Sequence, residues 1–515
     1  MGARDSPAGG HPPRSWHRSH SWHYPAALLA GAALPLAFAP YEWWPLAPLC
    51  AGLLGWLLRG LRPRAAFSLA WWFGLGFYGF GTSWVYVSIH GYGGASAPLA
   101  ALLTGLFCLG MALLFALPFA LCGLIDLHRL RGALLGFPAL WALGEWLRGW
   151  FLTGFPWLYL GYAPIDTPLA GLAPVTGVLG MSLALAITGA APFALAQCRH
   201  WAPVAGTLAL VATLWGGAWW LHQITWTTPI PPRLEVALVQ PAQSLDMKWD
   251  ANSLPAILTN FVATNRRHAD VELLLWPETA IPRFRHQVAP LLDGESAWAR
   301  AEDIGLLLGV PLALGDAGPY YNGLIGLGAA QGSYGKRRLV PFGEYVPLES
   351  LLRGAIAFFD LPMSSFSRAP EQQPLLTLDG LRIASAICYE IVYPDLVATS
   401  ATAANLLVTV SNDTWFGASI GPHQHFQMAR LRAIENGKPL LRATNDGVTA
   451  VIDARGQVTA QLPQFEPGVL RAAVLPQQGA TPFNRYRSLP VILVCTLLFA
   501  LARRRQRSRG DAPRS

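Results

Sequence analysis

Three side chains in the second half of the chain have the types that acyl transfer through a covalent intermediate requires. Glu278 follows Leu-Trp-Pro, and an apolar setting would raise the pKa of its carboxyl group and make it a usable base. Cys388 follows an apolar run and offers a nucleophile. Lys336 carries a compact charge that suits an oxyanion better than a planar guanidinium does. Together they predict a base, an oxyanion stabiliser and a nucleophile.

Each of the three residues also has an ordinary interpretation. An isolated glutamate at a strand end is commonly a surface carboxylate. Lys336 precedes Arg337 and Arg338, so it could belong to a solvated basic run, although only three of the 37 basic residues are lysines. A free cysteine is more often a small buried hydrophobe, but Cys388 is the only cysteine between residues 226 and 486. The combination of the three favours catalysis over these separate explanations.

Short apolar runs alternate with polar or helical stretches from residue 226 onward, which predicts one α/β or αββα layered domain. Glu278 and Cys388 would each directly follow a strand, where α/β folds place reactive groups, whereas Lys336 follows its strand at a greater distance. Asp379-Gly380 predicts a hairpin. We predict a helix at 423–435 and strands at 234–240, 271–275, 305–310, 324–327, 375–378, 381–386, 406–410, 440–443 and 449–452.

The first half of the chain is rich in apolar stretches that approach the length needed to cross a bilayer. Hydrophobic residues make up 53% of the chain and charged residues only 13%. We predict eight spans, of which the first two and the last are short, near 25–39, 44–58, 66–88, 97–122, 132–150, 168–197, 202–222 and 488–502. The predicted organisation is a basic tail (1–24), a membrane domain (25–225), a catalytic domain (226–486), a last transmembrane helix (487–503) and a second basic tail (504–515).

Arginines concentrate in alternate connections, which indicates the orientation of the spans. They occur in the N-terminal tail (Arg4, Arg14, Arg18), after the second span (Arg59, Arg62, Arg64), after the fourth (Arg129, Arg131), after the sixth (Arg199) and from Arg503 onward. Both tails are therefore predicted to be cytoplasmic and 226–486 to lie on the far side, the periplasm of a bacterium. Arg148 is the exception, and its spacing from Glu145 predicts an ion pair on one helix face. The net charge of +8 is explained by these arginines, and no basic patch predicts a nucleic-acid partner.

The order and context of Glu278, Lys336 and Cys388 resemble the Glu-Lys-Cys triad of the nitrilase superfamily. Four segments are similar to one branch of it, apolipoprotein N-acyltransferase, and so is the layout of many spans before the α/β domain and one after it. The segments are Lys248-Trp249-Asp250, 339–347 (Leu-Val-Pro-Phe-Gly-Glu-Tyr-Val-Pro), Cys388-Tyr389-Glu390 and 412–417 (Asn-Asp-Thr-Trp-Phe-Gly).

The resemblance implies a nitrilase-like αββα sandwich on a multi-span helical platform in the bacterial inner membrane. It implies transfer of a fatty acyl chain from a phospholipid, through a Cys388 thioester, to the N-terminal amine of a diacylglyceryl-modified apolipoprotein, with no cofactor or metal. Glu344 and Glu390 would be auxiliary carboxylates, Tyr389 would support the site or bind substrate, and Trp249 would shape the substrate entrance. Glu344 could instead pair with Arg337 or Arg338, and Trp249 could simply pack.

Two other functions use the same features. A membrane-tethered nitrilase-type amidase would need the same three residues and would resolve the thioester with water. A transporter with an accessory domain is disfavoured, because the predicted spans offer only Glu145 and Arg148 as charged residues. The apolar stretches 155–159 and 355–359 could enter the outer leaflet and admit lipid, or they could be core.

Overall fold

The computed structural model describes residues 22–315, 318–345 and 366–503. The predicted tails and the apolar stretch 355–359 lie outside these residues, apart from the last few positions of the first tail. Each of the eight predicted spans contains a helix. These helices are α1 (His23–Ala33), α2 (Leu46–Leu57), α3 (Pro63–Gly81) with the short α4 (Trp84–Val87), α5 (Ala97–Ala116), α6 (Phe137–Arg148), α7 (Ala173–Leu195), α8 (Trp201–His222) and, at the far end of the chain, α15 (Leu489–Ala502).

Three helical segments among the described residues are long and apolar enough to cross a membrane: Ala97–Leu124, Pro168–Leu195 and Trp201–His222. Leucines at positions 102, 106 and 113 of α5 are exposed although they are apolar, as expected for a surface that contacts lipid. Inside the bundle the helices approach closely at small residues. A side chain on Gly52 would collide with the backbone oxygen of Gly189 at 2.2 Å, so only glycine allows α2 and α7 to cross there.

The second half of the chain forms two stacked sheets. The six-stranded sheet has the order β14-β2-β3-β4-β5-β7, and the seven-stranded sheet has the order β13-β12-β11-β10-β9-β8-β6. The strands are β1 (Thr228–Pro229), β2 (Leu234–Gln240), β3 (Leu273–Leu275), β4 (Gly305–Ala313), β5 (Tyr320–Gly328), β6 (Ala330–Gln331), β7 (Ser333–Gly335), β8 (Leu376–Leu378), β9 (Leu381–Ile387), β10 (Leu406–Ser411), β11 (Leu440–Thr444), β12 (Ala450–Ile452), β13 (Val458–Gln461), β14 (Gly468–Val474) and β15 (Gln477–Gln478).

Helices cover the outer faces of both sheets, which confirms the predicted αββα sandwich. One apolar cluster joins inward side chains of the two sheets, for example Val236 and Leu275 with Ile383 and Val408. The helices of this half are α9 (Leu245–Trp249), α10 (Leu254–Arg267), α11 (Ala289–Ala301), α12 (Pro394–Ala401), α13 (Gly421–Asn436) and α14 (Pro482–Tyr486). Residues of α10 and α11 pack on the six-stranded sheet. Residues of α12 and α13 lie in one core cluster with the membrane helices, so the two halves share a core.

The predicted strands are present, and the turn at Asp379-Gly380 joins β8 and β9 as an antiparallel hairpin. Both turn residues have positive φ, 45° and 81°, which a two-residue hairpin turn requires. Six strands were not predicted: β7, β13, β14 and the two-residue strands β1, β6 and β15. Strand β14 pairs with β2 over seven residues, but its sequence, Gly-Val-Leu-Arg-Ala-Ala-Val, lacks the polar and apolar alternation by which strands are identified.

The expected ion pair between Glu145 and Arg148 is wrong. Both side chains are buried, but each binds the connection that follows α6 instead of the other. Glu145 Oε1 accepts from the backbone N–H of Leu160 at 2.7 Å and from the indole of Trp141. Arg148 donates to the backbone oxygens of Phe155 and Trp157. Segment 155–159 is core rather than a lipid-facing loop, since Trp157 is fully buried.

Candidate active site

Cys388 lies at a sharp turn between a strand and a helix. β9 ends at Ile387, and a 3₁₀ helix begins at Cys388 itself and runs to Val392. The φ angle of Cys388 is 53°, in the left-handed region that favours glycine. Such strain costs about 1–3 kcal/mol and concentrates at functional positions. The arrangement resembles a nucleophile elbow, which presents a reactive side chain above the end of a sheet.

Glu278 follows β3 by three residues, and its side chain is almost completely buried. Its two carboxylate oxygens are held from different sides. Oε1 accepts a hydrogen bond of 2.6 Å from the side-chain amide of Asn322, and Oε2 accepts one of 2.8 Å from the backbone N–H of Asn412. Asn412 follows the strand next to β9. The carboxylate therefore connects the facing edges of the two sheets.

Lys336 directly follows β7, a strand that the sequence analysis missed, and it is 1% exposed. The interpretation as a solvated basic run is therefore wrong. Its Nζ lies 2.8 Å from Oε1 of Glu344 and 3.5 Å from Oε1 of Glu278. Burial lowers the pKa of Lys336, but the two carboxylates outweigh burial and raise it overall. Lys336 thus stays positively charged at neutral pH.

The structure brings Cys388 to the same strand ends as Glu278 and Lys336. Cys388 follows β9, Asn412 follows the neighbouring parallel strand β10 and donates to Glu278, and Glu278 lies 3.5 Å from Lys336. The pKa of Cys388 is raised to about 12, first by burial and then by the Glu278 charge, while Lys336 opposes the shift. The resting thiol is therefore protonated at neutral pH. A thiolate forms there only if a neighbouring group accepts the proton, and only Lys336 among these partners stabilises it electrostatically.

Glu344 is buried beside Lys336 and does not pair with Arg337 or Arg338, so that alternative is wrong. Besides the lysine it accepts from the side-chain amide of Asn322 at 2.9 Å and from the backbone N–H of Val340 at 2.9 Å. Asn322 thus donates to Glu278 and Glu344 at once. The shared amide and the shared ammonium fix the spacing of the two carboxylates.

Glu390 is fully buried and accepts four hydrogen bonds. Oε1 accepts from the backbone N–H groups of Arg337 and Arg338, at 2.6 and 3.1 Å. Oε2 accepts from the backbone N–H of Ile387 at 2.9 Å and from the hydroxyl of Tyr334 at 2.8 Å. The carboxylate therefore joins the segment that carries Lys336 to the turn that carries Cys388.

Tyr389 faces the membrane half of the chain. Its hydroxyl donates to the backbone oxygen of Gly154 at 3.2 Å, and its ring is stacked on Trp157 with centroids 6.4 Å apart.

Trp249 is half-buried at the end of α9. Its neighbour Lys248 is buried and donates to the backbone oxygen of Glu278 at 3.0 Å. Burial lowers the pKa of Lys248 to about 8.

Several residues at the site were missed as functional candidates. No sequence pattern around Asn322 marks it as a functional residue. Lys248, in contrast, is one of only three lysines and could have been singled out by composition as Lys336 was. A buried cluster also lies below the elbow, where His425 Nε2 is 3.2 Å from the backbone oxygen of Cys388. The ring contacts Asp413, whose other carboxylate oxygen accepts from Arg442 at 2.6 Å.

Comparisons with known proteins agree with this architecture. Residues 30–191 match the family described as the apolipoprotein N-acyltransferase N-terminal domain, and residues 235–481 match the carbon–nitrogen hydrolase family. An apolipoprotein N-acyltransferase of Azotobacter vinelandii is 48% identical over 95% of this chain and 96% of its own. One of Pseudomonas aeruginosa is 46% identical over 93% of this chain and 96% of its own.

The chain belongs to the apolipoprotein N-acyltransferase family. The match extends over both halves and over nearly the full length of the relatives, which confirms the predicted acyltransferase and disfavours the amidase and transporter alternatives. The apolipoprotein N-acyltransferases named above are bacterial, and this chain has helices that are long and apolar enough to cross a membrane. The chain is therefore a bacterial membrane protein. Among solved structures, a carbon–nitrogen hydrolase of Helicobacter pylori covers 53% of this chain and 95% of its own, at 14% identity and a TM-score of 0.36.

Proposed function

We propose that the protein carries a fatty acyl chain from a membrane phospholipid, as a thioester on Cys388, to the N-terminal amine of a diacylglyceryl-modified apolipoprotein. The observation that carries this proposal is the convergence of Glu278, Lys336 and the half-buried Cys388 from separate elements into one cluster. Membership of the acyltransferase family supplies the reaction class. The proposed location is the bacterial inner membrane, with residues 226–486 in the periplasm.

The first half-reaction forms the thioester. Glu278 removes the proton from the thiol, and the thiolate attacks the ester carbonyl of the phospholipid. The negative charge that develops on the carbonyl oxygen is stabilised by Lys336, whose charge is already in place and fixed by Glu344. The tetrahedral intermediate collapses, the lysophospholipid leaves as an alkoxide, and Glu278 returns the proton to it. Loss of one oxyanion donor typically costs about 10²–10³ in rate.

The second half-reaction transfers the acyl chain to nitrogen. The apolipoprotein amine attacks the thioester carbonyl and gives a proton to Glu278. The carbon–sulfur bond breaks, an amide forms, and Cys388 recovers the proton from Glu278. Because one nucleophile serves two large substrates, donor and acceptor react with Cys388 in turn, which is ping-pong kinetics.

The remaining site residues are proposed to position these groups. Glu390 holds the Lys336 segment against the elbow at Cys388. Tyr389 fastens the elbow to the loop after α6. Trp249 is proposed to shape the substrate entrance, because it is half-buried and directly follows Lys248, which donates to the backbone oxygen of Glu278.

An acyl-transfer assay tests the proposal. Purified protein in lipid nanodiscs is given phospholipid with a labelled acyl chain and a diacylglyceryl-cysteine peptide with a free N-terminus. We expect label in an amide on the peptide, and none with Cys388→Ala or with an N-acetylated peptide. Release of labelled fatty acid at the same rate with both peptides would indicate a hydrolase and contradict the proposal.

A further inference from the structure

A cavity of about 720 Å³ lies between the helical half of the chain and the α/β domain. Its walls come from the end of α6 and the loop that follows, from segment 337–339, from the start of α12 and from the residues just before α15. Among the described residues, Glu278, Lys336 and Cys388 are not part of its lining. The cavity is therefore separate from the candidate active site, although Arg337 adjoins Lys336 in sequence.

The lining of the cavity is strongly basic. The lining contains two carboxylates, those of Glu371 and Asp395, and four arginines, of which Arg337 already donates to protein oxygens and Arg338, Arg368 and Arg487 are the others. The first carboxylate pairs with Arg338 at 2.7 Å, and the second accepts from the hydroxyl and backbone N–H of Ser488. Four positive and two negative side chains leave a surplus of two positive charges. A partly enclosed space with this surplus favours an anionic ligand.

The cavity lies beside the ends of two apolar helices, α6 and α15. Trp146 and Trp150 line it at the end of α6, and α15 begins directly beyond it. Tryptophan and arginine at the ends of apolar helices mark the boundary between membrane and water. Leu489 and Leu493 of α15 are each 60% exposed. The acyl chains of a lipid whose head group is held by the arginines therefore have an apolar surface to contact along α15. A free phosphate ion has no acyl chains and gains nothing from this surface.

Arg487 lies at the rim of the cavity. Its backbone has φ 53° and ψ −147°, a region that is normally restricted to glycine. The chain holds an arginine in this strained conformation at the rim of the cavity, between α14 and α15.

We propose that this cavity binds the phosphate head group of an anionic glycerophospholipid that is not the acyl donor. Arg337 and Tyr393 line the cavity, whereas Lys336 and Cys388 are not among its described lining residues. The bound lipid contacts α6, α12 and the start of α15 at once. It therefore acts as a resident lipid that joins the catalytic domain to the membrane helices.

Native mass spectrometry of the full-length protein tests this proposal. The Cys388→Ala background is used so that no lipid is consumed. Delipidated protein is titrated separately with phosphatidylglycerol, with phosphatidylethanolamine and with inorganic phosphate. We expect one tightly retained phosphatidylglycerol, weaker retention of the zwitterionic lipid, and no competition by inorganic phosphate. Equal retention of the two lipids, or displacement by inorganic phosphate, would overturn the proposal.

Variants of the cavity lining sharpen the test. Arg338→Gln/Arg487→Gln should lower phosphatidylglycerol retention about tenfold or more, because two charge-assisted hydrogen bonds are lost. Arg485→Gln is the control, since Arg485 is exposed near Arg487 but is not among the described lining residues. Glu371→Gln removes an exposed carboxylate and should increase retention, so the proposal is testable even if the double variant misfolds. Unchanged retention in both Glu371→Gln and the double variant would contradict it. Thioester formation is measured separately with native Cys388 and does not affect this result.

Discussion

The carboxylate of Glu390 accepts a hydrogen bond of 2.6 Å from the backbone N–H of Arg337, 53 residues earlier in the chain. All four partners of Glu390 donate to it. Glu390→Gln would replace one acceptor oxygen by an NH₂ group that faces donors, and a buried unsatisfied donor costs about 1–3 kcal/mol. We expect thioester formation about tenfold slower or worse and a lower melting temperature.

Glu466→Gln is the matched control for this change, because the side chain of Glu466 is exposed. Its rate and melting temperature should equal those of the native protein. Native rates in Glu390→Gln would show that the link between the Lys336 segment and the elbow is dispensable.

The reactivity of Cys388 should report the two charges beside it. Because burial and Glu278 raise the pKa of the thiol to about 12, alkylation by iodoacetamide should increase about tenfold per pH unit without a plateau between about pH 7 and 10. Glu278→Gln removes a negative charge and should lower the thiol pKa, whereas Lys336→Met should raise it, each by at least about one unit.

Both variants should nevertheless lose acyl transfer, for different reasons: one lacks the base and the other lacks the oxyanion stabiliser. Alkylation is followed in a Cys198→Ser background, since Cys198 is the other cysteine that is not fully buried. A plateau below about pH 9 in the native protein would show that the thiol is not shifted in the way described.

Arg148 should matter for the site although it lies in the membrane half. It holds the backbone oxygens of Phe155 and Trp157, in the same loop whose Gly154 accepts from Tyr389. Arg148→Gln should lower the melting temperature by several degrees, increase cleavage of segment 149–160 by protease and slow thioester formation. Arg129→Gln is the control, since that exposed pair with Asp126 contributes little. Equal cleavage in the two variants would rule out this role.

The proposed orientation has its own test. Cysteines are introduced at the exposed positions Glu302 and His200 in a background of Cys388→Ser and Cys198→Ser. An impermeant thiol reagent added to intact spheroplasts should label the first and spare the second, because the arginine pattern places residues 226–486 outside. Labelling of the cysteine at position 200 but not of that at position 302 would show that the orientation is the reverse of the one proposed.

Much of this architecture could be predicted because it depends on local patterns. Apolar length identified the membrane helices, and buried runs ending in reactive residues placed Glu278 and Cys388 at strand ends. Asn322 could not be predicted, because its role depends on two carboxylates 44 residues before it and 22 residues after it. Helical spacing alone suggested the pair of Glu145 and Arg148, but the loop after α6 offered each side chain backbone partners that spacing does not reveal.

The most direct test of the account is the isolation of the acyl-enzyme. Purified protein is incubated with phospholipid labelled in the acyl chain and without any lipoprotein, and its intact mass and peptides are measured. The account predicts one acyl group per chain on Cys388, removable by hydroxylamine and, in a parallel sample, transferred to added diacylglyceryl peptide. Continuous release of free fatty acid would contradict it in favour of hydrolysis. No adduct until the peptide is added would contradict it in favour of direct transfer between two bound substrates.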